Sequence, residues 1–517
     1  MKHFDTIVVG AGSSGGVVAA RLSEDADRDV LLLEAGPDFP DEETLPPLFT
    51  VSGGHCWLPA GMPELDWGYF NVPQPNGHVV RLARGRLVGG SSMVNGAVAV
   101  RGAPFDYDRW AAAGNPGWSW QDVLPYFVKL ERDVDFGDRP YHGTGGPVTV
   151  RRYPRETWSP AHEAFYEGCL ELGMDEAPDL NAPDASVNCV GPWPSNRLNE
   201  VRLGTLVTYL RSARRRPNFH LRAGALVDRV LMNGTRATGV RCIDAHDEPL
   251  DVYADRVVLS AGAYGTPPIL QRSGIGSPDQ LQAAGIKAVV SLPVGEHLID
   301  HPNCAMWLEG PGLGAHRGRI FLNNCRAPAG PDGEPEWQAF PLPVDEVSNR
   351  AAVVFCLNRQ DAEGFVRAVS ADPSAAPLID HRYNTIERDL ERFEAAWAFG
   401  REMLTTTAFR AARITEVDAG KTVREIVATG VGTAQHPVGS CRMGPADSEA
   451  VVGPDLTVHG IEGLLVADAS IFPDNIMNNT NLTCYMLGEK AADLIRGGNS
   501  TRPQGAEQMS ISSRVEP

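Results

Sequence analysis

The stretch that decides the fold is residues 5–16, DTIVVGAGSSGG, at the start of the chain. Its first part, residues 5–9, is a β-branched apolar run that predicts a buried strand. Glycines at Gly10, Gly12 and Gly15 follow in G-x-G-x-x-G spacing, and residues 17–23 have the composition of a helix. Strand, glycine turn and helix in this order are typical of the first βα unit of a dinucleotide-binding domain.

Each glycine has a separate role in this motif. Gly10 permits the tight turn, Gly12 lets a pyrophosphate approach the backbone, and Gly15 lets helix and strand pack closely. The phosphates would lie at the positive N-terminus of the helix. A second predicted strand, residues 30–33, ends at Glu34, whose carboxylate could accept hydrogen bonds from a ribose diol. The pattern therefore predicts nucleotide binding rather than an ordinary glycine turn, but it does not distinguish FAD from NAD.

Length and composition limit the class of protein. The 517 residues can hold two or three domains, and 65 Asp and Glu against 46 Lys and Arg give a formal net charge of −19. This charge disfavours nucleic acid and anionic membrane surfaces as partners. Nine scattered cysteines predict reduced thiols rather than a disulfide framework or a zinc site.

The beginning and end of the chain carry expectations about location. The first residues enter a strand directly, which leaves no room for a cleavable signal ahead of it, and the apolar runs are too short to span a bilayer. We therefore expect a cytoplasmic protein without a membrane span. Residues 501–517 lack apolar periodicity and predict a disordered tail.

Two longer stretches carry a family resemblance. Residues 85–108, GRLVGGSSMVNGAVAVRGAPFDYD, resemble the first signature of the glucose–methanol–choline oxidoreductases, and residues 262–276, GAYGTPPILQRSGIG, resemble the second. The similarity extends over nearly the whole chain, to about residue 497, and includes HPVGSCRMG and VADASIFP. It implies an α/β fold in which a Rossmann-like FAD-binding domain is joined to a substrate domain built on an antiparallel sheet with helices.

The resemblance also implies how the chain is divided. The FAD-binding domain would be discontinuous, with residues 1–155, 198–300 and 430–500. The substrate domain would consist of residues 156–197 and 301–429, and it would place its sheet over the flavin.

The loop around Gly90 is the expected flavin cradle. By itself the glycine-serine run could be a bulge or turn between strands, or a loop whose missing side chains let a planar ring lie against the backbone. In the family this loop holds the isoalloxazine, and some members attach it covalently through a histidine just before Asn95. Val94 occupies that position here, so we expect noncovalent FAD.

The motifs and the resemblance together give a set of expected cofactor contacts. Val227 would contact the adenine, and Asp468, at the end of a predicted strand, would approach the pyrophosphate and ribityl chain. The full set is Gly10, Gly12, Ser13, Ser14, Gly15, Glu34, Ala35, Arg86, Gly90, Ser91, Asn95, Gly96, Val98, Val227, Ala261, Asp468, Ala469, Asn479 and Thr480.

The resemblance also supplies the catalytic residues. Residues 433–439, TAQHPVG, match the family's catalytic-base motif, which makes His436 the base among 13 histidines. The second catalytic position falls in PDNIMNNTNLT, where the family has histidine or asparagine. Asn479 aligns there, and Asn478 would take its place if the alignment slipped by one residue. His436 would remove the hydroxyl proton of an alcohol, and Asn479 would orient the oxygen while hydride passes to the flavin.

A helix predicted over residues 482–495 would support this chemistry. Its N-terminus, capped by Thr480 or Asn479, would direct positive charge to the flavin N1–C2=O region, where negative charge develops. It could equally be an ordinary amphipathic C-terminal helix.

A histidine pair and a set of aromatic residues are less specific features of the sequence. His297 and His301 have the i, i+4 spacing of a metal pair, but Pro302 and the lack of further ligands argue against zinc, and we expect no metal. Trp57, Trp67, Phe70, Trp118 and Trp120 would line the cavity entrance or, for most of them, fill the core.

Several functions stay open at this point. The expected activity is oxidation of an alcohol to an aldehyde or ketone. A hydroxynitrile lyase on the same scaffold would keep FAD and the histidine without net redox chemistry, and a non-catalytic flavin-binding protein is a further alternative. The electron acceptor could be oxygen or a quinone or carrier. Ala434, where related choline oxidases carry a larger valine, favours oxygen because it leaves space beside the flavin. The sequence does not name the alcohol.

Overall fold

The computed structural model describes residues 3–40, 45, 49, 64–198, 201–311, 320–345 and 350–497. Two large sheets and their covering helices organise this part of the chain. The predicted tail and Trp57 lie outside the described residues.

The first sheet has seven strands and contains the N-terminal motif. His3–Val9 runs parallel to Val30–Leu33 on one side and to Pro249–Leu259 on the other. Val30–Leu33 is buried along its whole length, as expected for a parallel strand covered on both faces. The strands are His3–Val9, Val30–Leu33, Phe219–Arg222, Leu226–Asn233, Arg236–Ile243, Pro249–Leu259 and Leu464–Val466.

The second sheet has eight strands and is almost wholly antiparallel. Pro302–Glu309 pairs with Arg350–Leu357, and its first residues also pair with Gly432–Thr433. That last pairing carries the chain directly to His436. The strands are Asp175–Glu176, Cys189–Pro192, Pro302–Glu309, Asn323–Arg326, Trp337–Asp345, Arg350–Leu357, Thr415–Glu416 and Gly432–Thr433.

Four two-stranded sheets complete the β structure of the described residues. Their pairs are Tyr69–Phe70 with Arg81–Leu82, Glu131–Asp133 with Val148–Val150, Arg197–Leu198 with Val201–Arg202, and Phe365–Arg367 with Leu378–Asp380.

Some of the helices begin at residues whose side chains cap them. Ser119 and Asp122 form a capping box at one helix, and Thr422 and Glu425 form another. The helices are Gly15–Leu22, Pro104–Ala112, Trp120–Leu130, Pro160–Glu171, Arg211–Ala213, Gly262–Arg272, Pro278–Ala283, Glu387–Met403, Thr407–Ala411, Val423–Gly430 and Asn481–Gly497.

The first and last helices pack directly on each other. A Cβ atom at Gly488 would lie 2.7 Å from the Cβ of Val17, so only glycine permits this spacing. Asn481–Gly497 covers the predicted residues 482–495 and is buried over most of its length. The N-terminal ends of both helices therefore lie near each other, at the carboxyl edge of the seven-stranded sheet.

The strands of the two large sheets come from different parts of the chain. The strands of the seven-stranded sheet lie within residues 1–155, 198–300 and 430–500. Gly432–Thr433, however, pairs with the eight-stranded sheet although it was assigned to the FAD-binding segments. The domain boundaries stay a prediction.

The expectations of reduced cysteines and of no membrane span can be compared with the described residues. The eight cysteines among them are buried and unpaired. No helix there has the length and apolar character needed to cross a bilayer.

Candidate active site

A cavity of about 620 Å³ is lined by residues from both large sheets. Its volume is in the range of cofactor and ligand sites. Gly15 and Arg86 do not line it. The other predicted site residues do, namely Gly10, Gly12, Ser13, Ser14, Glu34, Ala35, Gly90, Ser91, Asn95, Gly96, Val98, Val227, Ala261, His436, Asp468, Ala469, Asn479 and Thr480.

The three motif glycines differ in what surrounds them. A Cβ atom at Gly12 would meet no atom within 4 Å, so its backbone faces open space in the cavity. At Gly15 a Cβ atom would overlap the carbonyl oxygen of Gly10, and at Gly10 (φ +97°) it would overlap that of Ser260. Gly12 is therefore the glycine that leaves room for a ligand, whereas Gly10 and Gly15 are required by the fold itself.

Gly90 brings the second glycine loop against the first. A Cβ atom at Gly90 would lie 2.8 Å from the Cα of Gly12. Ser91 and Asn95 continue the same wall, and Val94 presents an aliphatic side chain to the cavity.

Glu34 lies at the end of its strand, as the spacing predicts. Its carboxylate accepts hydrogen bonds from the backbone N–H groups of Ala11 (3.0 Å) and Gly36 (2.9 Å). Burial raises the pKa of Glu34 to about 7, against these hydrogen bonds. Each oxygen keeps lone-pair capacity for a further donor such as a ribose hydroxyl.

Asp468 has a structural role in the described fold. Its carboxylate accepts hydrogen bonds from the N–H groups of Gly262 (2.9 Å) and Ser470 (2.8 Å) and from the hydroxyl of Thr266 (2.6 Å). These bonds tie the end of strand Leu464–Val466 to the start of helix Gly262–Arg272. Asp468 lines the cavity, but its contacts with the pyrophosphate and ribityl chain stay a prediction.

The structure places Arg84, rather than the predicted Arg86, in the cavity wall. The guanidinium of Arg86 lies 5.3 Å from the centre of the Trp67 ring, and that of Arg84 lies 5.2 Å from the centre of the Tyr264 ring. Both arginines belong to the same irregular segment, where periodicity gives no orientation. The sequence therefore indicates that an arginine of this segment lies at the site, but it does not indicate whether this is Arg84 or Arg86.

His436 and Asn479 meet at the cavity surface. The Nδ2 atom of Asn479 lies 3.1 Å from Nε2 of His436. The neighbouring Asn478 is buried and donates instead to the carbonyl oxygen of Arg101 (2.7 Å). The amide group beside His436 is therefore that of Asn479.

The loop that carries Asn479 is held from three directions. The N–H of Met477 donates to Asp106 (2.9 Å), and its carbonyl accepts from the amide of Gln338 (3.0 Å). Together with the bond from Asn478, these contacts fix the backbone on both sides of the amide that faces His436.

His436 is supported by two residues that precede strand Pro302–Glu309. The backbone N–H of His436 donates to Asp300 (2.9 Å), whose carboxylate also accepts from the hydroxyls of Tyr383 (2.7 Å) and Thr433. The Nδ1 atom of His436 lies 2.9 Å from Nδ1 of His301. Asp300 and His301, at the end of residues 297–301 (HLIDH), thus contribute to the catalytic region. Their role could not be predicted, because nothing in the spacing links positions 301 and 436.

The electrostatic environment keeps His436 neutral. Burial, followed by His301 and Arg84, lowers the pKa of His436 to about 3, while Asp300 acts in the opposite direction. A neutral imidazole at ordinary pH can accept a proton, which is the requirement for a general base.

The other side of the cavity is aromatic and apolar. Trp193, Phe321 and Phe340 contact one another with ring centres 4.9–5.4 Å apart. The Phe321 ring lies against Gly96, where a Cβ atom would be 2.7 Å from Cε2. Ala434 packs against the same cluster. These cavity residues were not predicted, because they come from a region without a recognisable motif.

His297 and His301 do not form a pair. His297 contacts Glu363 (2.5 Å) and Glu449 (3.4 Å), whereas His301 faces His436. A separate buried cluster of Glu131, Asp133 and His142 has the proximity of metal ligands. Its carboxylates form ion pairs with Arg101 and Arg152, so its charges are compensated within the protein.

Comparison with known proteins identifies the family. The chain matches the N-terminal profile of GMC oxidoreductases over residues 4–303 and the C-terminal profile over residues 360–488. The chain belongs to the GMC oxidoreductase family. It is an FAD-dependent oxidoreductase that acts on CH–OH donors, which confirms the predicted family, fold class and cofactor.

Individual relatives cover nearly the full length. The chain is 35% identical to an oxygen-dependent choline dehydrogenase of Klebsiella pneumoniae, with 96% of each chain covered. It is 35% identical to a 5-(hydroxymethyl)furfural oxidase of Methylovorus sp., with 95% of this chain and 98% of the relative covered. Among solved structures, pyridoxine 4-oxidase from Mesorbium loti gives a TM-score of 0.87 at 29% identity, covering 96% of this chain and 99% of that chain.

The cavity fits FAD. The open space at Gly12, the close approach of Gly90 and the buried carboxylate of Glu34 provide a cradle for a dinucleotide. The N-terminal ends of helices Gly15–Leu22 and Asn481–Gly497 meet there, because Ser13 donates to Asn481 (2.8 Å) and Ser14 donates to the carbonyl of Cys484 (2.9 Å). Both helix ends suit the anionic parts of such a cofactor.

Proposed function

We propose that the protein oxidises a primary alcohol borne by an uncharged aromatic ring, with His436 as the general base. The observation that carries this proposal is the contact of His436 and Asn479 at the surface of a cavity that is glycine-lined on one side and aromatic on the other. Bound FAD supplies the acceptor for the hydride that leaves the alcohol carbon.

The roles of the two catalytic residues follow from their atoms. Neutral His436 takes the hydroxyl proton on Nε2, since its Nδ1 is engaged with His301. Asn479 cannot accept a full proton, but its amide can hydrogen-bond to the substrate oxygen. Val354, Cys356 and Ala434 line the same cavity, and their apolar surface helps to exclude water from it.

The substrate class is inferred from the charges that face the cavity. Among its described lining residues, Glu34 and Asp468 are the carboxylates, and both are bonded to backbone N–H groups at the cofactor end. The remaining lining residues include aromatic rings and the amide of Asn303. Gln338 also lines the cavity, but its amide is bonded to Met477 and Asn324. A quaternary ammonium such as choline would have only cation–π contacts there, whereas a planar hydroxymethyl arene could stack and hydrogen-bond. The hydroxymethylfurfural and pyridoxine oxidases among the relatives favour this class.

Anaerobic flavin bleaching tests the proposal. We expect 5-(hydroxymethyl)furfural or benzyl alcohol to reduce the enzyme faster than choline does. His436→Ala should retain FAD but reduce it about 10²–10⁴-fold more slowly, because a positioned base contributes that much. Asn479→Ala should be less impaired. A His436 variant that bleaches at the parent rate would refute the base assignment, and absence of bleaching by any alcohol would favour the lyase or a non-catalytic flavoprotein.

We further propose oxygen as the electron acceptor. Ala434 presents only a methyl group where it packs against the aromatic cluster, and the cationic side chain of Arg84 lies in the cavity wall. The name of the Klebsiella relative, an oxygen-dependent dehydrogenase, agrees with this choice. Photoreduced enzyme mixed with air-saturated buffer should be reoxidised rapidly and should release hydrogen peroxide. Recovery over many minutes, with immediate reaction of a synthetic quinone, would instead identify a dehydrogenase.

A further inference from the structure

His301 is a buried histidine whose only strong ring contact in the described structure is with the proposed base. It is fully inaccessible to solvent, and its ring stands nearly perpendicular to that of His436, at 84° with centres 5.1 Å apart. The two Nδ1 atoms are 2.9 Å apart. Burial lowers the pKa of both histidines, so both rings are neutral at ordinary pH.

A contact between two neutral imidazoles has only two possible forms. One Nδ1 must carry the proton and the other must present its lone pair. If His301 were the donor, His436 would carry its proton on Nε2, and no basic nitrogen would face the cavity. If His436 is the donor, its Nε2 carries a lone pair that can accept a proton. The direction of this one hydrogen bond therefore determines whether His436 can act as a base.

The groups around the pair favour donation by His436. Nε2 of His301 is buried without a hydrogen-bond partner, and the backbone carbonyls of Ile476 and Asn358 are near the ring. Carbonyl oxygens only accept, so they favour a proton on Nε2 of His301 and leave its Nδ1 with a lone pair. On the other side, the Asn479 amide nitrogen 3.1 Å from Nε2 of His436 is a donor and requires a lone pair there.

We infer that His301 is a positioning residue that fixes the tautomer of His436, with the proton on Nδ1 and the lone pair of Nε2 facing the cavity. The inference rests on the proposed function, because it matters only if His436 is the base. The role is comparable to that of a carboxylate that orients a catalytic histidine, but here it is performed by a neutral ring. The backbone N–H of Ala434 donates to the carbonyl of His301 (2.9 Å), which holds the two segments in register.

Two amide variants of His301 provide a matched test. In His301→Asn the amide oxygen can occupy the position of Nδ1 and accept the bond, whereas in His301→Gln the longer side chain carries it towards the position of Nε2. We expect flavin reduction within a few-fold of the parent for His301→Asn and at least about 10²-fold slower for His301→Gln, the scale of a lost general base. Equal rates in the two variants would overturn the inference.

The tautomer can also be observed directly. Nitrogen-15 NMR of histidine-labelled enzyme, with the His436 signals identified by their loss in His436→Asn, should show a protonated Nδ1 and an unprotonated Nε2 at pH 8. His301→Gln should shift this balance. A proton on Nε2 of His436 in the parent enzyme would refute the inference, even if the glutamine variant failed to fold. The charged and titratable groups that act on the pair, Asp300, Arg84 and Asp474, are unchanged in both variants.

The controls separate this inference from the proposed function. His162→Phe removes another fully buried histidine, bonded to Ser159 and Ile320, and should leave the tautomer of His436 unchanged. If His436→Ala reduces its flavin normally, the proposed function fails. If it is inactive while His301→Gln matches His301→Asn, only the role of His301 fails.

Discussion

At the scale of single residues, Val94 is the basis for expecting FAD without a covalent link to the protein. Its side chain lines the cavity and is almost fully buried, and it offers no nucleophile. We therefore expect acid precipitation to release the FAD into solution and leave a colourless pellet. Flavin absorbance that stays with the washed pellet would contradict the noncovalent assignment.

Residue assignments could be predicted where a motif is local. Gly12 and Glu34 lie where their spacing places them, because strand, turn and helix fix each other within a short segment. Asp300 and His301 could not be paired with His436 in the same way. Their contact depends on strand Pro302–Glu309 pairing with Gly432–Thr433, a long-range register that a single sequence does not contain.

At the scale of secondary structure elements, the glycine turn before helix Gly15–Leu22 contains one glycine expected to affect cofactor binding and another expected to affect folding. Gly12→Ala adds a methyl group where there is open space, so the apoprotein should keep its stability while FAD affinity falls. Gly15→Ala adds one that overlaps the carbonyl of Gly10, which should destabilise the apoprotein itself by roughly 1–3 kcal/mol.

Two measurements distinguish these effects. Fluorescence titration with FAD reports affinity, and urea unfolding of the apoprotein reports stability. The reverse pattern, with a stable Gly15→Ala and an unfolded Gly12→Ala, would show that the open space at Gly12 has another cause than cofactor binding.

Element prediction succeeded where the hydrophobic pattern is local. The helix predicted over residues 482–495 is present as Asn481–Gly497, and the strand before Glu34 is present as Val30–Leu33. The antiparallel sheet of the substrate side came only from the family resemblance. Phe340 lies in strand Trp337–Asp345, and Phe321 lies two residues before strand Asn323–Arg326, which pairs with it. Because this neighbourhood depends on long-range pairing, local periodicity could not identify the two rings as cavity residues.

At the scale of the whole molecule, buried histidines make the fold sensitive to acid. Burial lowers the pKa of His301 and His436, and that of His381 to about 4. The unfolded chain binds protons at these positions below a pH of about 6.5, whereas the folded protein does not. For His381 and His436, stability is therefore lost as the pH falls from about 6.5 towards 4, by roughly 1.4 kcal/mol per pH unit for each of the two, and His301 acts in the same direction.

His381→Phe tests this dependence. The new ring can still stack on Tyr383, but the hydroxyl of Tyr264 loses its partner, so the variant should be less stable at pH 7.5. At pH 5 the difference in stability should be smaller or reversed, because only the parent protein is destabilised by proton binding to His381 in the unfolded chain. Glu34, whose raised pKa acts in the opposite direction, is common to both proteins. Parallel curves of thermal midpoint against pH would contradict the assignment.

The contact between the first and last helices has a consequence for biosynthesis. Ser13 and Ser14 hydrogen-bond to Asn481 and to the carbonyl of Cys484, and Val17 packs against Gly488. A nascent chain emerges from the ribosome N-terminus first. Ser13 is therefore synthesised 468 residues before Asn481, its partner at the start of the last helix. Tight retention of FAD should therefore begin only after helix Asn481–Gly497 has been synthesised, and a ribosome-stalled chain ending before residue 481 should not hold the flavin.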